Sequence, residues 1–443
     1  METGDRATQY YRLAIAAIGL IAISSIALLY VAGPPKLYFL ILNSWSVPAD
    51  FRSWSMPTNL RPYSPFIDLE EYLAALQCSR AGLDVFHANP CDLLGRPHVY
   101  PLWLTPGLVP LGVGDTNWLG LILAFSFVCT VAWIAKPRNS LEATIYVIAM
   151  LSPACAFAVE RGNMDLLVFD VMALAAVLFC RGRLWRLLVY GCFFFLGTLK
   201  FYPIVAMGLA LKEKAGRLLV LAGVTILGWL AFTYVMRQQL IEMAANYPVF
   251  DPISQTVFGA TAAFKIIHLW LDVWLIRFEP GISYAMNGIY AIFVAVAFLN
   301  SIFLIRRKRI PHLPDSVPGG ADMQFAVSAL MLVAVFFIGI NNHYRAVLLL
   351  LFLPLLTFAR REAPAGPDRD YWNVTIGLLL TVLWCPDLLS ISQHFLPGLG
   401  PKVALTLYVR DMIWWLFIIR IMAVLWTRIV PPAILKSAPF RMK

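Results

Sequence analysis

Charge is the scarcest commodity in this sequence. Only 14% of the 443 residues are charged while 60% are apolar, and the mean hydropathy is +0.73. So little charge cannot clothe a water-facing surface, which excludes a soluble globular protein. Internal repeats are also missing, and low-complexity sequence is confined to the Pro/Gly segment at 311–320. Neither a Gly-rich phosphate loop nor a dinucleotide-binding glycine fingerprint occurs, which argues against a soluble nucleotide as a direct substrate. No stretch has the ligand spacing of a dedicated metal loop, although Asp68, Asp84 and Asp92 share one segment.

What the chain does have is long apolar windows nearly free of charge, at 13–32, 118–135, 218–236, 284–305 and 374–389. As helices they are long enough to cross the roughly 30 Å of hydrocarbon in a bilayer. Segment 13–32 has the length of a signal peptide core, but no small-residue cleavage site follows it, and Gly33-Pro34-Pro35-Lys36 opens a loop instead. It reads as an anchor.

The formal net charge is +10, which would suggest nucleic acid if the basic residues were spread evenly. They are not. Most of the 35 Lys and Arg residues fall at 1–12, 136–140, 181–186, 212–217, 306–323, 360–371 and 428–443, short stretches that all belong to one side. The positive-inside rule puts that side, with both termini, in the cytoplasm, and a nucleic-acid partner requires none of this pattern.

Alternating the loops gives an all-α polytopic membrane protein of about ten to twelve passes, one integral membrane domain over 1–443. A large extracytoplasmic loop at 33–117 carries a short helix at 68–80, and a second such loop lies at 237–283. Spans are expected at 141–159, 165–180, 324–341, 346–359 and 408–427. Segment 187–211 is too short for two passes and is interrupted by Lys200-Phe201-Tyr202-Pro203, so two short helices should meet at a break that protein or water must shelter. Of seven cysteines, Cys129, Cys155, Cys180, Cys192 and Cys385 lie in or beside spans, as small hydrophobes. Cys78 and Cys91 share the first outside loop and are compatible with a disulfide in an oxidising compartment.

Polar residues concentrate in four places, all on the outer side of this topology: Asp68-Leu69-Glu70-Glu71-Tyr72 with Asp84, His87 and Asp92; Glu160 to Asp165; Lys200 to Pro203; and Asn341 to Arg345. Each has an ordinary structural explanation. Asp68 can cap a helix, Glu70 and Glu71 can be a solvated face, Arg161 and Asp165 can pair across a turn, Lys200 can snorkel outward, and His343 can be an interfacial histidine. Their convergence has a chemical one. A carboxylate can take a proton from an acceptor hydroxyl while Lys and Arg bind a departing phosphate, as transfer from an anionic lipid-linked donor requires.

Four segments carry a family likeness: Asp68-x-x-x-Tyr72 followed by Gly82-x-Asp84-x-Phe86 and Tyr100-Pro101; Arg161-Gly162-Asn163; Lys200-x-Tyr202-Pro203; and His343-Tyr344 before Leu353-Pro354. In this order the chain resembles the GT-C superfamily of polyprenyl-phosphate-sugar-dependent glycosyltransferases, in particular the mannosyltransferase-like branch called glycosyltransferase family 87. The resemblance implies a GT-C-type helical bundle and an inverting hexosyl transfer to an extracytoplasmic lipid or glycan acceptor. It implies Asp68 as the general base. Charge and side then assign Lys200, Arg161 and Arg345 to the donor phosphate, and Tyr72, Glu71, Asn163, Asp165, Tyr202, His343 and Tyr344 to the substrate pocket. The partners expected are a polyprenyl-phosphate sugar as co-substrate, its acceptor and membrane lipids, with no cofactor and no metal. The short cytoplasmic loops favour a bacterial inner membrane with the site on the periplasmic face. A transporter or flippase for a lipid-linked or small anionic substrate is the alternative.

Orientation is checked with a phosphatase reporter active only outside the cytoplasm. Fused after Asp115 it should be active and fused after Lys136 inactive; the reverse result inverts the topology.

Overall fold

The computed structural model of the protein describes residues 2–32, 65–103, 110–246, 257–266, 281–395 apart from 308, 312, 314 and 315, and 400–430. Of the segments expected as outside loops, 33–64, 104–109, 247–256 and 267–280 lie outside the described residues, as does the basic tail at 431–443.

Helices make up nearly all of the rest: α1 (Glu2–Ala32), α2 (Ile67–Arg80), α3 (Thr116–Ile134), α4 (Ser140–Met150), α5 (Pro153–Arg161), α6 (Asp165–Phe179) and α7 (Arg183–Lys200), then α8 (Ala215–Val235), α9 (Arg237–Asn246), α10 (Gly281–Arg306), α11 (Gly319–Ile338), α12 (Leu353–Glu362), α13 (Pro367–Phe395) and α14 (Gly400–Ile429). Among the described residues, seven helical stretches are long and apolar enough to cross a membrane, and an eighth counts if the bent pair α4–α5 is one span. The molecule is an all-helical polytopic membrane protein. Its apolar core runs continuously through α3, α6, α11, α12 and α14, while α1, α8 and α10 turn large apolar side chains such as Leu219, Leu227, Ile292 and Leu299 outward, as a lipid-facing surface does.

Three expected spans have a different form. Segment 141–159 is two helices that meet at 48°. Pro153 cannot continue α4, and Ser152 caps the new helix by accepting from the Cys155 amide at 3.5 Å. The segment after Lys200 is a 3₁₀ helix, Tyr202–Lys212, and so is His343–Phe352, the first half of the span that continues as α12. A 3₁₀ helix rises about 2.0 Å per residue, so the 11 residues from Tyr202 reach about 22 Å instead of roughly 16 Å. The stretching lengthens the segment, which still stays shorter than the 18-residue α7 before it. A two-residue antiparallel pairing, Val257–Phe258 with Asn341–Asn342, pins part of the second loop to the bundle. Gly259 has to be glycine there, because a Cβ would meet the Gly339 carbonyl oxygen at 2.2 Å.

The two ends of the bundle differ. At the basic end three carboxylates bridge elements: Glu142 to Arg361 at 3.0 Å, Asp322 to Arg428 at 2.5 Å and Lys212 at 3.3 Å, and Glu213 to Arg186 at 3.3 Å. The opposite end is closed by α2. Its preceding residue, Phe66, has φ 65°, a left-handed conformation that costs a bulky residue about 1–3 kcal/mol. Its amide donates to the Glu160 carbonyl at 2.7 Å, and its side chain fits where only glycine leaves room, against Gly120 and Gly162.

Gly162 is itself left-handed at φ 59°, and a Cβ there would lie 2.8 Å from the Phe66 Cβ. Gly162→Ala should therefore destabilise the fold by at least about 1 kcal/mol and loosen α2, seen as a lower melting temperature in detergent and faster amide exchange in 66–80. An unchanged melting curve would remove Phe66 as the anchor of α2.

Candidate functional site

Asp68 is the second residue of α2, yet it does not cap that helix; no side chain does. Its carboxylate turns to the bundle. Oδ2 accepts from Asn163 Nδ2 at 2.9 Å, and Oδ1 faces Arg96 at 3.3 Å and Arg161 at 3.6 Å. Asn163 is a bridge, since its Oδ1 accepts from Lys200 Nζ at 3.0 Å and from the Asp165 amide at 3.0 Å. Asp165, fully buried at the start of α6, takes Lys200 Nζ at 2.6 Å and the Tyr202 hydroxyl at 2.7 Å on Oδ1. Arg345 stands 3.6 Å from its other oxygen, an ion pair without a hydrogen bond. Arg345 also donates to Asn341 Oδ1 and lies over the Tyr202 ring at 5.2 Å.

One polar chain thus runs Asp68–Asn163–Lys200–Asp165–Arg345, joining four segments far apart in sequence. Aromatic rings line it. Tyr100 and Tyr344 stand 5.4 and 6.0 Å from the Lys200 ammonium, and Arg161 packs over Phe157 at 5.2 Å. Burying a cation and an anion together is tolerable only where geometry and hydrogen bonds complete them, which Asn163 and Tyr202 do here. Phe201, at φ 60°, carries the strain of the turn that delivers Lys200 and Tyr202 from either side of the α7 end. The two non-glycine residues with positive φ among those described, Phe66 and Phe201, are thus next to the site.

Several expectations change. His343 does not line the site. Its ring is buried against Phe258 and Trp414, and Nε2 bonds the Val382 carbonyl at 2.8 Å. It opens a 3₁₀ turn, where consecutive side chains diverge by about 120°, so Tyr344 reaches the Lys200 face and His343 the core. Lys200 does not snorkel; it is buried on Asp165. Arg161 and Asp165 do not pair across their turn: Arg161 lies by Asp68 and by Glu160 at 3.5 Å. Glu70 and Glu71 are not a solvated face. Burial and the nearby Asp92 push the Glu70 carboxyl up in pKa, while Glu71 bonds His98 Nδ1 at 2.7 Å. Asp84 stays outside the cluster, paired with His87 at 2.6 Å on the surface, its pKa lowered by the Phe86 amide and by His87. Among the described residues no three His, Cys, Asp or Glu side chains converge as a metal site would require.

Two residues at the site gave no signal in sequence. Arg96 is clamped by Asp92 at 2.9 Å and by the Ile67 carbonyl at 2.6 Å before it reaches Asp68. Burial opposes its charge, but Asp92, Asp68 and Glu71 outweigh burial and raise its pKa. His98 is buried beside Tyr72 and Tyr100. Both sit in loop sequence without periodicity. Cys78 and Cys91 are joined as a disulfide, which ties the end of α2 to the loop carrying this clamp.

Comparison of the chain with protein-family models, curated proteins and solved structures finds no match.

Removing one partner of a buried pair strands the other, at about 3–5 kcal/mol. Lys200→Met should therefore lower the melting temperature severely, and by more than Arg161→Gln, whose pairings with Asp68 and Glu160 are looser. Equal effects would contradict the division between a buried frame and an approachable rim. Replacing Cys78 and Cys91 by serine should cost about 3 kcal/mol and raise amide exchange in 81–97; unaltered exchange would show that the clamp stands without the bridge.

Proposed function

We propose that the protein is an inverting membrane glycosyltransferase that moves a hexose from a polyprenyl phosphate to an extracytoplasmic lipid or glycan acceptor. One observation carries this reading: the carboxylate of Asp68 and the cations Arg161, Lys200 and Arg345 meet at one end of the bundle, the end away from the basic loops. The positive-inside pattern makes that end extracytoplasmic, the periplasmic face in a bacterial inner membrane. The resemblance to GT-C enzymes of glycosyltransferase family 87, and their larger count of ten to twelve passes, belongs to the same proposal.

In this reading Asp68, partly accessible and oriented by Asn163, accepts the proton of the acceptor hydroxyl as its oxygen attacks the anomeric carbon. The bond to the phosphate oxygen breaks on the opposite side, so configuration inverts. In the same reading Arg161 and Arg345 contact the developing phosphate charge, and Lys200 adds its field through the Asp165 pair. The apolar flanks of the helices leave the polyprenyl tail in lipid. A second reading, a transporter or flippase, has one observation of its own: Arg410 and Asp411, paired at 2.8 Å and buried within the apolar stretch Thr406–Ile429.

Purified protein reconstituted with radiolabelled polyprenyl-phosphate mannose and a glycolipid acceptor pool should transfer label. Asp68→Asn should slow transfer by at least about 100-fold with donor binding retained. Equal rates would remove Asp68 as base. No transfer from any of several polyprenyl-linked sugars, with label crossing the bilayer instead, would favour transport.

A further inference from the structure

Beside the polar chain lies an imidazole that the scheme above leaves without work. His98 is fully buried. Its main-chain amide donates to the Val85 carbonyl at 2.8 Å, and Nδ1 meets Glu71 Oε1 at 2.7 Å. The ring is enclosed by Tyr72, Tyr100 and Phe86, with centroids 5.6, 6.0 and 6.2 Å away. Everything about the residue is fixed except Nε2, which is buried and has no hydrogen-bonding partner among the described residues. Buried polar atoms are rarely left so.

Its position is specific. Glu71 is one helical turn from Asp68 on α2, and Tyr100, whose ring contacts His98, stands 5.4 Å from the Lys200 ammonium. A carboxylate on Nδ1 holds the proton there and leaves Nε2 with an unpaired lone pair, an acceptor aimed away from Glu71. An acceptor of one hydrogen bond, walled by tyrosine rings, suits a hydroxyl group on a compact ring with apolar faces.

We propose that His98, set by Glu71, is a sugar-recognition residue whose Nε2 accepts a hydrogen bond from a substrate sugar hydroxyl. This rests on the glycosyltransferase reading. No bond is made or broken at His98; the residue selects and places the sugar while Asp68 handles the proton. Two sugars are candidates, the one on the donor and the one on the acceptor, and they are told apart by measurement.

The test uses His98→Gln and His98→Asn in the full-length protein. The glutamine amide reaches the place of Nε2, whereas the asparagine amide reaches only that of Nδ1. If Nε2 binds substrate, His98→Asn weakens sugar binding about tenfold, the size of one hydrogen bond, and His98→Gln restores most of it. A purely structural role through Glu71 gives the opposite order. Affinity is read by thermal shift for polyprenyl-phosphate mannose against bare polyprenyl phosphate, together with the KM for acceptor in the transfer assay. Loss confined to the mannose-bearing lipid assigns the donor sugar. An unchanged donor with a tenfold higher acceptor KM assigns the acceptor sugar. Equal behaviour of all three proteins, an equal loss for bare and mannose-bearing lipid, or the opposite order of the two variants overturns the role of His98 and leaves the transferase reading standing. A wild type that neither transfers sugar nor distinguishes the two lipids overturns both.

Discussion

The buried pair of Asp165 and Lys200, 2.6 Å apart, is the interaction on which the rest of the site depends. Neither charge is stable alone in an apolar bundle, and their attraction offsets the loss of water only if the remaining hydrogen-bonding positions are filled. Filling them recruits Asn163 from the turn before α6, Tyr202 from the far side of the α7 break and Arg345 from the late 3₁₀ helix. Each recruit fixes a piece of backbone. The strained Phe201 is held because Lys200 and Tyr202 must both reach one carboxylate. Asn163 then passes the constraint outward to Asp68.

The two ends of the molecule use charge in different ways. At the basic end the buried carboxylates of Glu142, Glu213 and Asp322 hold partly exposed Arg and Lys side chains, and these pairs register one element against another. At the other end the Lys200–Asp165 pair is enclosed beneath α2 and aromatic rings, so it acts in a medium that screens it weakly. Between them the bundle is largely apolar, and two of its segments are 3₁₀ helices.

Much of the architecture was legible in composition and charge. The windows around 118–135, 218–236 and 408–427 correspond to helices because an uncharged stretch in lipid must satisfy its own backbone. The break at Lys200-Phe201-Tyr202-Pro203 was legible from proline and from length. The bend at Ser152-Pro153 carried the same kind of signal but lay inside an uninterrupted apolar run. At the site, Asp68, Asn163, Asp165, Tyr202 and Arg345 stood out as polar residues at span ends, and the folded chain gathers them. Arg96 and His98 did not, since nothing in an irregular loop shows which way it folds back. His343 was misplaced for the reason that Tyr344 was not: adjacent residues in a 3₁₀ turn face different surroundings, and sequence alone does not show which faces inward.

The sequence by itself determined that this protein lives in a membrane as a bundle of helices, which end carries the positive charge and where polar residues interrupt the apolar pattern. Those are properties of local composition, set by the cost of charge and of unsatisfied backbone in hydrocarbon. Only the tertiary structure decided which carboxylate meets which cation, that Lys200 turns inward and His343 away, and that Arg96 meets Asp68 and His98 meets Glu71. Such pairings join residues as much as 219 positions apart, as Glu142 and Arg361 are. They depend on strained turns, a glycine-lined notch for Phe66 and a disulfide, whose directions in space no local pattern encodes.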